Sequence, residues 1–390
     1  MLSFSPVGLD DYVTYFRRKF KNFIYFRWRF PHSSNGASGK LIHYENEDEI
    51  SVKNLDNLPI VKNRILYFAT LPFHYFFYLL QALWYLRRRS NDKSYRVLMG
   101  VNYYCTFCGL LLKKLGAIDA VIYRVMDFFP LPPSGPYRFF NWLFYKFDRF
   151  CLTHSDEVWF TTEGHIIGRE KYGYFDRNER RYRLIPLGVN ASEYVDLPLS
   201  IKGKHSLVYC GVVSSYHMLD VLFDLVDRLR YNFSDIRLNI IGDGPDLPRY
   251  KALCNALMLS DRVIFHGFLE EGEKFRRIMC DNALGIAFYR DEENFMKYTE
   301  PAKVKYYLNF GVPALVSKVP RIAVELETQG VAIAVSNDIE IIVKQVSEFL
   351  RDQTVQDKYR YRISEYVKEI DIFHMLDDLV NRFIIEANIM

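Results

Sequence analysis

A chain of 390 residues is too long for one ordinary core and suits two domains of roughly 150–200 residues each. Hydrophobic residues make up 49% of it and aromatics 16%, which excludes a disordered chain, while a formal charge of +4 is small for a nucleic-acid coat of this length. The six cysteines are scattered, mostly inside apolar runs, with no export signal before them, so a reducing compartment and a core role are expected.

Between Asp11 and Glu45 there is no acid, while Arg17, Arg18, Lys19, Lys21, Arg27 and Arg29 alternate with Tyr15, Phe16, Phe20, Phe23, Tyr25, Phe26, Trp28 and Phe30. Two readings fit this arm. One is a lipid headgroup interface, with rings at the boundary and cations toward anionic lipid; the other is a solvated helix followed by an ordinary core strand. Further along the first half, strands are expected at 22–27, 64–69, 95–101, 119–123, 157–160 and 182–186, and helices at 72–89, 104–114, 136–151 and 163–172. A polar Glu-Asn-Glu-Asp turn makes a hairpin of 40–44 and 49–52.

The run Ile65–Leu86 carries no formal charge and is closed by Arg87, Arg88 and Arg89, long enough to be weighed as a membrane span. Pro72 divides it, however, and His74, Tyr78, Gln81, Tyr85 and Arg88 then fall on one helical face. A helix with such a polar stripe suits packing or an interface better than lipid on all sides. Cys105 and Cys108 have the spacing of a metal or redox pair but lack a second pair or clustered histidines, so they are expected in the core.

Pro186 to Tyr194, with Pro198 and Gly203 beyond, is polar and rich in breakers, and the boundary is placed there: 1–188, then 189–365, with 366–390 a terminal helix expected to pack back on the first domain. After it, β-rich runs at 206–211, 236–241, 262–266, 283–288, 313–317 and 331–335 alternate with helix-length segments. Parallel strands need such crossovers, so an α/β fold with a doubly wound sheet follows. Ligands of these sheets sit beyond the carboxyl ends of the strands, and two facing sheets leave a cleft in which the active site is expected. Ile240-Ile241-Gly242-Asp243-Gly244-Pro245 reads as a strand feeding a helix N-terminus, an anion site for a phosphorylated small molecule.

Taken in order, Pro186-Leu-Gly-Val-Asn190, Gly242-Asp-Gly-Pro245, Arg262-Val-Ile-Phe-His-Gly-Phe268 and Pro301-Ala-Lys303 followed by Phe310-Gly-Val-Pro313 resemble the GT-B glycosyltransferases, with a C-terminal domain like that of glycosyltransferase family 4. The resemblance implies two Rossmann-like domains facing each other across a cleft, with a nucleotide-sugar donor held mainly by the second. It places base contacts near His266, Gly267 and Phe268 and the diphosphate near the helix that begins at Pro301, Ala302 and Lys303. Lys303 would stand in the first turn, so that its ammonium and the helix N-terminus both face the leaving diphosphate. A fixed cation can stabilise that charge without metal. Gly211, Gly242, Gly244, Tyr289, Glu300, Tyr306 and Tyr307 complete the expected donor site, with no cofactor and no metal. No Asp-x-Asp occurs, which argues against a metal-bound diphosphate.

The chain departs from the commonest retaining pattern. Its two glutamate positions fall at Tyr298 and Tyr306, Glu292 and Glu300 share the spacing out of register, and the Arg and Lys after the first strand fall at Val212 and His217. A thinner likeness to GumK-type glucuronosyltransferases rests on Lys303, Tyr307, Phe310-Gly-Val-Pro-Ala314 and Tyr123-Arg-Val-Met-Asp127. It implies an inverting enzyme in which Asp127 takes the acceptor proton, and His165 is expected to reach the cleft from the same domain.

The expected function is therefore metal-independent transfer of a sugar, from a UDP-linked donor with glucuronate as the implied sugar, to a hydroxyl of a lipid-linked or polysaccharide acceptor. The N-terminal domain would bind that acceptor, in the cytoplasm at an anionic membrane surface, with no nucleic-acid partner. Two rivals remain: a GT-B-like scaffold subunit without turnover, given the missing Arg, Lys and Glu, and a nucleic-acid binder using the basic aromatic arm.

Overall fold

Two sheets organise the chain, and they belong to two separate units of the computed structural model, which describes residues 1–3, 9–28, 39–55, 64–88, 94–131, 136–178, 181–195, 203–292 and 295–386. The first unit runs from Met1 to Pro186 and takes in the chain from Leu376 onward; the second is Leu187–Met375.

In the first unit, β1 (Leu2–Ser3), α1 (Asp10–Lys19), β2 (Asn22–Arg27), β3 (Lys40–Glu45) and β4 (Asp48–Asn54) precede α2 (Arg64–Arg87). Then follow β5 (Val97–Val101), α3 (Asn102–Lys114), β6 (Ala120–Val125), α4 (Pro136–His154), β7 (Glu157–Phe160), α5 (Glu163–Lys171) and β8 (Arg183–Leu184). The strand order is β4-β3-β2-β1-β5-β6-β7-β8, parallel except that β3 runs against both of its neighbours. The hairpin thus forms one edge of an otherwise parallel sheet.

Two expectations fail here. No strand forms at 64–69: those residues open α2, which continues through Pro72 to Arg87. The first half of the apolar run is therefore the start of one long helix, whose face at Tyr78, Leu79, Ala82, Tyr85 and Leu86 buries against Phe26, Trp28 and Leu41. The arm is not a headgroup interface either. Tyr15, Phe16, Phe23, Tyr25, Phe26 and Trp28 are all buried, Trp28 stacking on Tyr78 at 5.2 Å and Phe23 on Tyr44 at 5.8 Å. The solvated-helix reading wins, because ring-rich alternation in a strand fills a core as readily as it fills an interface. Lys19 closes on Asp377 at 2.6 Å and Tyr15 donates to the same carboxylate at 3.0 Å, fastening the end of the chain to α1. Arg29 and Phe30 lie outside the described residues.

The interior of this unit holds a charged pair. Arg169 Nε donates to Asp148 Oδ2 at 2.8 Å, and both side chains are fully buried. Tyr123 and Tyr174 donate their hydroxyls to the same carboxylate. Removing one partner of such a pair strands a charge in a dry interior, so Asp148→Ala should lower the unfolding free energy by about 3–5 kcal/mol, measured by denaturant titration. A loss below about 1 kcal/mol would show that the pair contributes little. Cys105 and Cys108 are core residues on α3, their thiols pushed up by burial.

The second unit contains β9 (Ser206–Cys210), α6 (Leu219–Leu229), β10 (Arg237–Ile241), α7 (Leu247–Ala256), β11 (Val263–Gly267), α8 (Glu273–Cys280), β12 (Leu284–Ala287), α9 (Ala302–Asn309), β13 (Ala314–Ser317), α10 (Ile322–Thr328), β14 (Ala332–Val335), α11 (Ile339–Arg351) and α12 (Gln353–Glu369). The last helix, α13 (Ile372–Glu386), begins in this unit and ends in the first. All six strands are parallel in the order β11-β10-β9-β12-β13-β14. Helices with one apolar stripe cover them; α6 buries Leu219, Leu222, Phe223, Leu225, Val226 and Leu229. The chain leaves β9 in one direction and later returns to β12 on its other side, so the carboxyl ends of β9 and β12 frame the switch point where doubly wound sheets bind ligands. No described helix is long and apolar enough to cross a membrane.

Candidate active site

At that switch point lies one lysine. Pro301 caps α9 with a φ of −69°, ending the extended approach, and Lys303 follows as the second helical residue. Its Nζ lies 4.5 Å from the ring centre of Tyr209 at the end of β9 and 5.4 Å from that of Tyr289 just beyond β12. His217 Nδ1 is 3.3 Å away and the Tyr209 hydroxyl 3.5 Å. Among the described residues no carboxylate pairs with it. Burial therefore pulls Lys303 down to about 7, far below an ordinary lysine. His217 is pulled down to about 4 by burial and by the neighbouring ammonium, so it is neutral at physiological pH.

The loop after β9 is shaped to leave room for this cation. Gly211 has φ +144°, and a Cβ there would stand 3.7 Å from Lys303 Nζ. Beneath it runs the loop after β10: a Cβ on Gly242 would fall 1.9 Å from the Gly211 carbonyl oxygen, so only glycine lets the two loops touch. Gly211 N–H donates to Ile241 O at 2.9 Å and Val213 N–H to Asp243 O at 3.0 Å, locking that contact. Gly244 is likewise closed by the Val213 backbone. These glycines thus serve loop-on-loop packing, not the anion cradle expected of them. The loop leading into α7 carries Asp243 and, at the cap, Asp246, the latter accepting from Ser215 N–H at 2.7 Å, an acidic setting unfavourable to a phosphate.

The start of α9 is the better anion site. The amides of Ala302 and Lys303 precede the first intrahelical acceptor, the helix dipole adds positive potential, and the ammonium of Lys303 stands beside them unpaired. A cation with no carboxylate, held among aromatic faces at a switch point, suits a ligand that brings negative charge with it. Residues 198–370 match the family model described as glycosyl transferases group 1. That match spans most of the second unit.

The glycosyltransferase fold extends over the chain. Sucrose-phosphate synthase from Thermosynechococcus elongatus superposes with a TM-score of 0.62 at 14% identity, covering 85% of this chain and 82% of that one. HepE of Anabaena, solved with UDP and glucose, gives 0.60 at 13%, covering 77% and 80%. WaaG, a glycosyltransferase involved in lipopolysaccharide biosynthesis, gives 0.53 at 12%, covering 71% and 80%. These likenesses establish the GT-B fold. A search of curated proteins by sequence finds no match.

Of the residues assigned to the glycosyltransferase site from sequence, Lys303, Gly211, Tyr289, Pro301 and Ala302 come together around the β9 and β12 ends. Tyr307 does not join them. It is fully buried, its hydroxyl donating to Ile286 O at 2.8 Å and accepting from Cys210 N–H at 3.0 Å, so it fastens β12 to β9 from within. Glu300 is turned away too, accepting from Leu187 N–H at 2.7 Å and pairing with Lys305 at 3.1 Å. Burial alone would lower Lys305, but Glu300 holds it up and charged. Tyr306 faces outward and donates to Glu271 at 2.6 Å. His266, on the edge strand β11, bonds Asn239 at 2.9 Å, while Gly267 has φ +70° and Phe268 projects into solvent, 74% exposed. His217 and Tyr209 are the members that sequence reasoning did not assign; His217 stands in register with the family's lysine, which was the available signal.

In the first unit, Asp127 lies just past β6, half-buried. Asn102 Nδ2 donates to its Oδ2 at 3.4 Å, from a residue held at φ +65° where β5 turns into α3. Burial raises its carboxyl above the usual range, while Asn102 and Arg169 hold it down. His165 is fully buried, and burial, with Arg169 and Arg124 nearby, pushes it well below its ordinary value. A neutral histidine sealed in the core cannot reach a ligand, so its expected place in a cleft is withdrawn.

Proposed function

We propose that the protein transfers a sugar from a UDP-linked donor to a hydroxyl of a lipid-linked or polysaccharide acceptor, without metal and with inversion at the anomeric carbon. The observation that carries this reading is the unpaired Lys303 at the first turn of α9, between Tyr209 and Tyr289. As the acceptor oxygen bonds to the anomeric carbon, the bond from that carbon to the diphosphate breaks. The departing UDP carries the electron pair, and Lys303 with the α9 amides receives its charge. The acceptor proton passes to Asp127, whose raised affinity for protons suits a base. Absence of the paired glutamates supports inversion over retention, and the likeness at Lys303, Tyr307 and 310–314 makes UDP-glucuronate the first donor to test. HepE was solved with UDP and glucose, and WaaG acts in lipopolysaccharide biosynthesis; both support the donor and acceptor classes.

The test is UDP binding as a function of pH. Free Lys303 loses its proton near 7. A bound diphosphate raises that value, so above pH 7 binding must take up a proton and affinity falls as pH rises. Between pH 7 and 8.5 UDP affinity should weaken by about tenfold, read by calorimetry in buffers of different ionisation enthalpy. A pH-independent affinity with no proton uptake would remove the lysine from the diphosphate site. At saturating UDP, about 100 times Kd, the protein should gain roughly 2.7 kcal/mol and a higher Tm.

A further inference from the structure

We infer that the outer face formed by α2 and α4 docks the first unit on an anionic phospholipid bilayer. The two helices lie on one side of the sheet with α3 between them: Tyr75 of α2 stacks on Tyr104 of α3 at 5.0 Å, and Phe107 of α3 meets Phe147 and Phe150 of α4 at 5.3 and 5.7 Å. Along α2, Phe73, Phe76, Leu80 and Trp84 recur at steps of three and four and stand exposed, Phe73 at 74%. Along α4, Phe139, Trp142, Leu143, Phe147 and Phe150 do the same, Phe139 at 60%. A core residue would not be left in water at this spacing twice over, and contiguous aromatic faces of this kind mark an interaction surface.

Charge decides what covers it. From residue 57 through 91 the sequence has no acid, and in α4 the one acid, Asp148, is buried against Arg169. Among the described side chains, the exposed charges on the two helices and just past α2, namely Arg87, Arg88, Arg138, Lys146 and Arg149, are all positive. Arg88 lies 3.9 Å over the ring of Trp84 and Lys146 5.5 Å from that of Trp142, so cations and rings share one level, as at a headgroup boundary. The α2 row also opens into an apolar groove of about 360 Å³ lined by Leu41, Leu55, Leu80, Trp84 and Tyr85, with Lys53 beside it. An acyl segment fits that combination: an apolar floor with a cation at the rim. This surface differs from the N-terminal arm, whose rings are buried, and it stands whether or not the donor reading holds.

Sedimentation of the full chain with vesicles tests it. The protein should bind vesicles of phosphatidylcholine mixed with phosphatidylglycerol, and bind those of phosphatidylcholine alone at least tenfold less. Phe139→Asp with Trp142→Asp, or Phe76→Asp with Trp84→Asp, should weaken binding by tenfold or more. Arg87→Glu with Arg88→Glu should weaken it by roughly fivefold or more per reversed cation. These positions are exposed, so an unchanged melting temperature and an unchanged UDP response show that fold and donor site are intact. Equal binding to both vesicle types, or wild-type binding by the aromatic pairs, would overturn the inference. So would a wild-type dimer in light scattering that these substitutions dissolve, since the face would then belong to a second copy of the chain.

Discussion

Lys303→Met should reduce turnover by roughly 10²–10³, the usual loss when one fixed charge-stabilising group is removed from a developing anion, while the free protein melts no lower than the parent. The two halves of this expectation have one cause. Burial among Tyr209, Tyr289 and His217 leaves the ammonium without a counter-charge, so its folded value near 7 lies below the unfolded lysine value of about 10.4. Between those two values the unfolded chain holds the proton more readily than the folded one. The charged form therefore opposes folding, fully below pH 7 and less and less as pH climbs toward the unfolded value. Methionine fills similar space without charge. At pH 6–7 its melting temperature should equal or exceed that of the parent, a pattern reserved for residues kept for function at the expense of stability. Scanning calorimetry beside a transfer assay decides it: a variant that unfolds early and keeps its turnover would make Lys303 a structural residue.

Asp127→Asn should lower turnover by about 10²–10⁴, the range for a lost general base, with UDP affinity unchanged because the residues proposed to hold the donor lie in the other unit. Asparagine preserves the volume and the contact with Asn102, so a fold defect is not expected. The pH profile separates a proton acceptor from a merely placed side chain. Burial raises the carboxyl of Asp127, so activity should fall on the acid side at a pH above the ordinary aspartate range, and this limb should vanish in the variant. A variant that transfers sugar at the parental rate would move the base elsewhere and reopen the question of stereochemistry.

Much of the second unit was legible because most of its strands are short apolar runs between helix-length segments, as parallel strands buried on both faces must be. The place of Lys303 in the first turn of a helix was legible as well, from Pro301 before it, while its expected role came from the resemblance. What sequence could not supply was who surrounds that lysine: Tyr209 and His217 lie 94 and 86 positions away and meet it only through the order of the strands. Tyr306 and Tyr307 show the same limit at closer range. They are adjacent and identical in type, yet one faces water and the other bonds two strands, a difference set by the turn of one short helix. The aromatic arm misled for a further reason. Rings beside cations describe both a sheet core with charged edges and a lipid boundary, and only burial tells them apart.

Tyr289 has one more property that bears on catalysis. Its hydroxyl is enclosed and has no hydrogen-bond partner among the described residues, and its ring centre lies 5.4 Å from the ammonium of Lys303. Folding has stripped the hydroxyl of solvent, and it leaves the lysine beside the ring half-buried. An incoming anionic guest then meets a partly desolvated cation held by packed rings, and little of the attraction is lost to rearranging the host as charge builds on the leaving group.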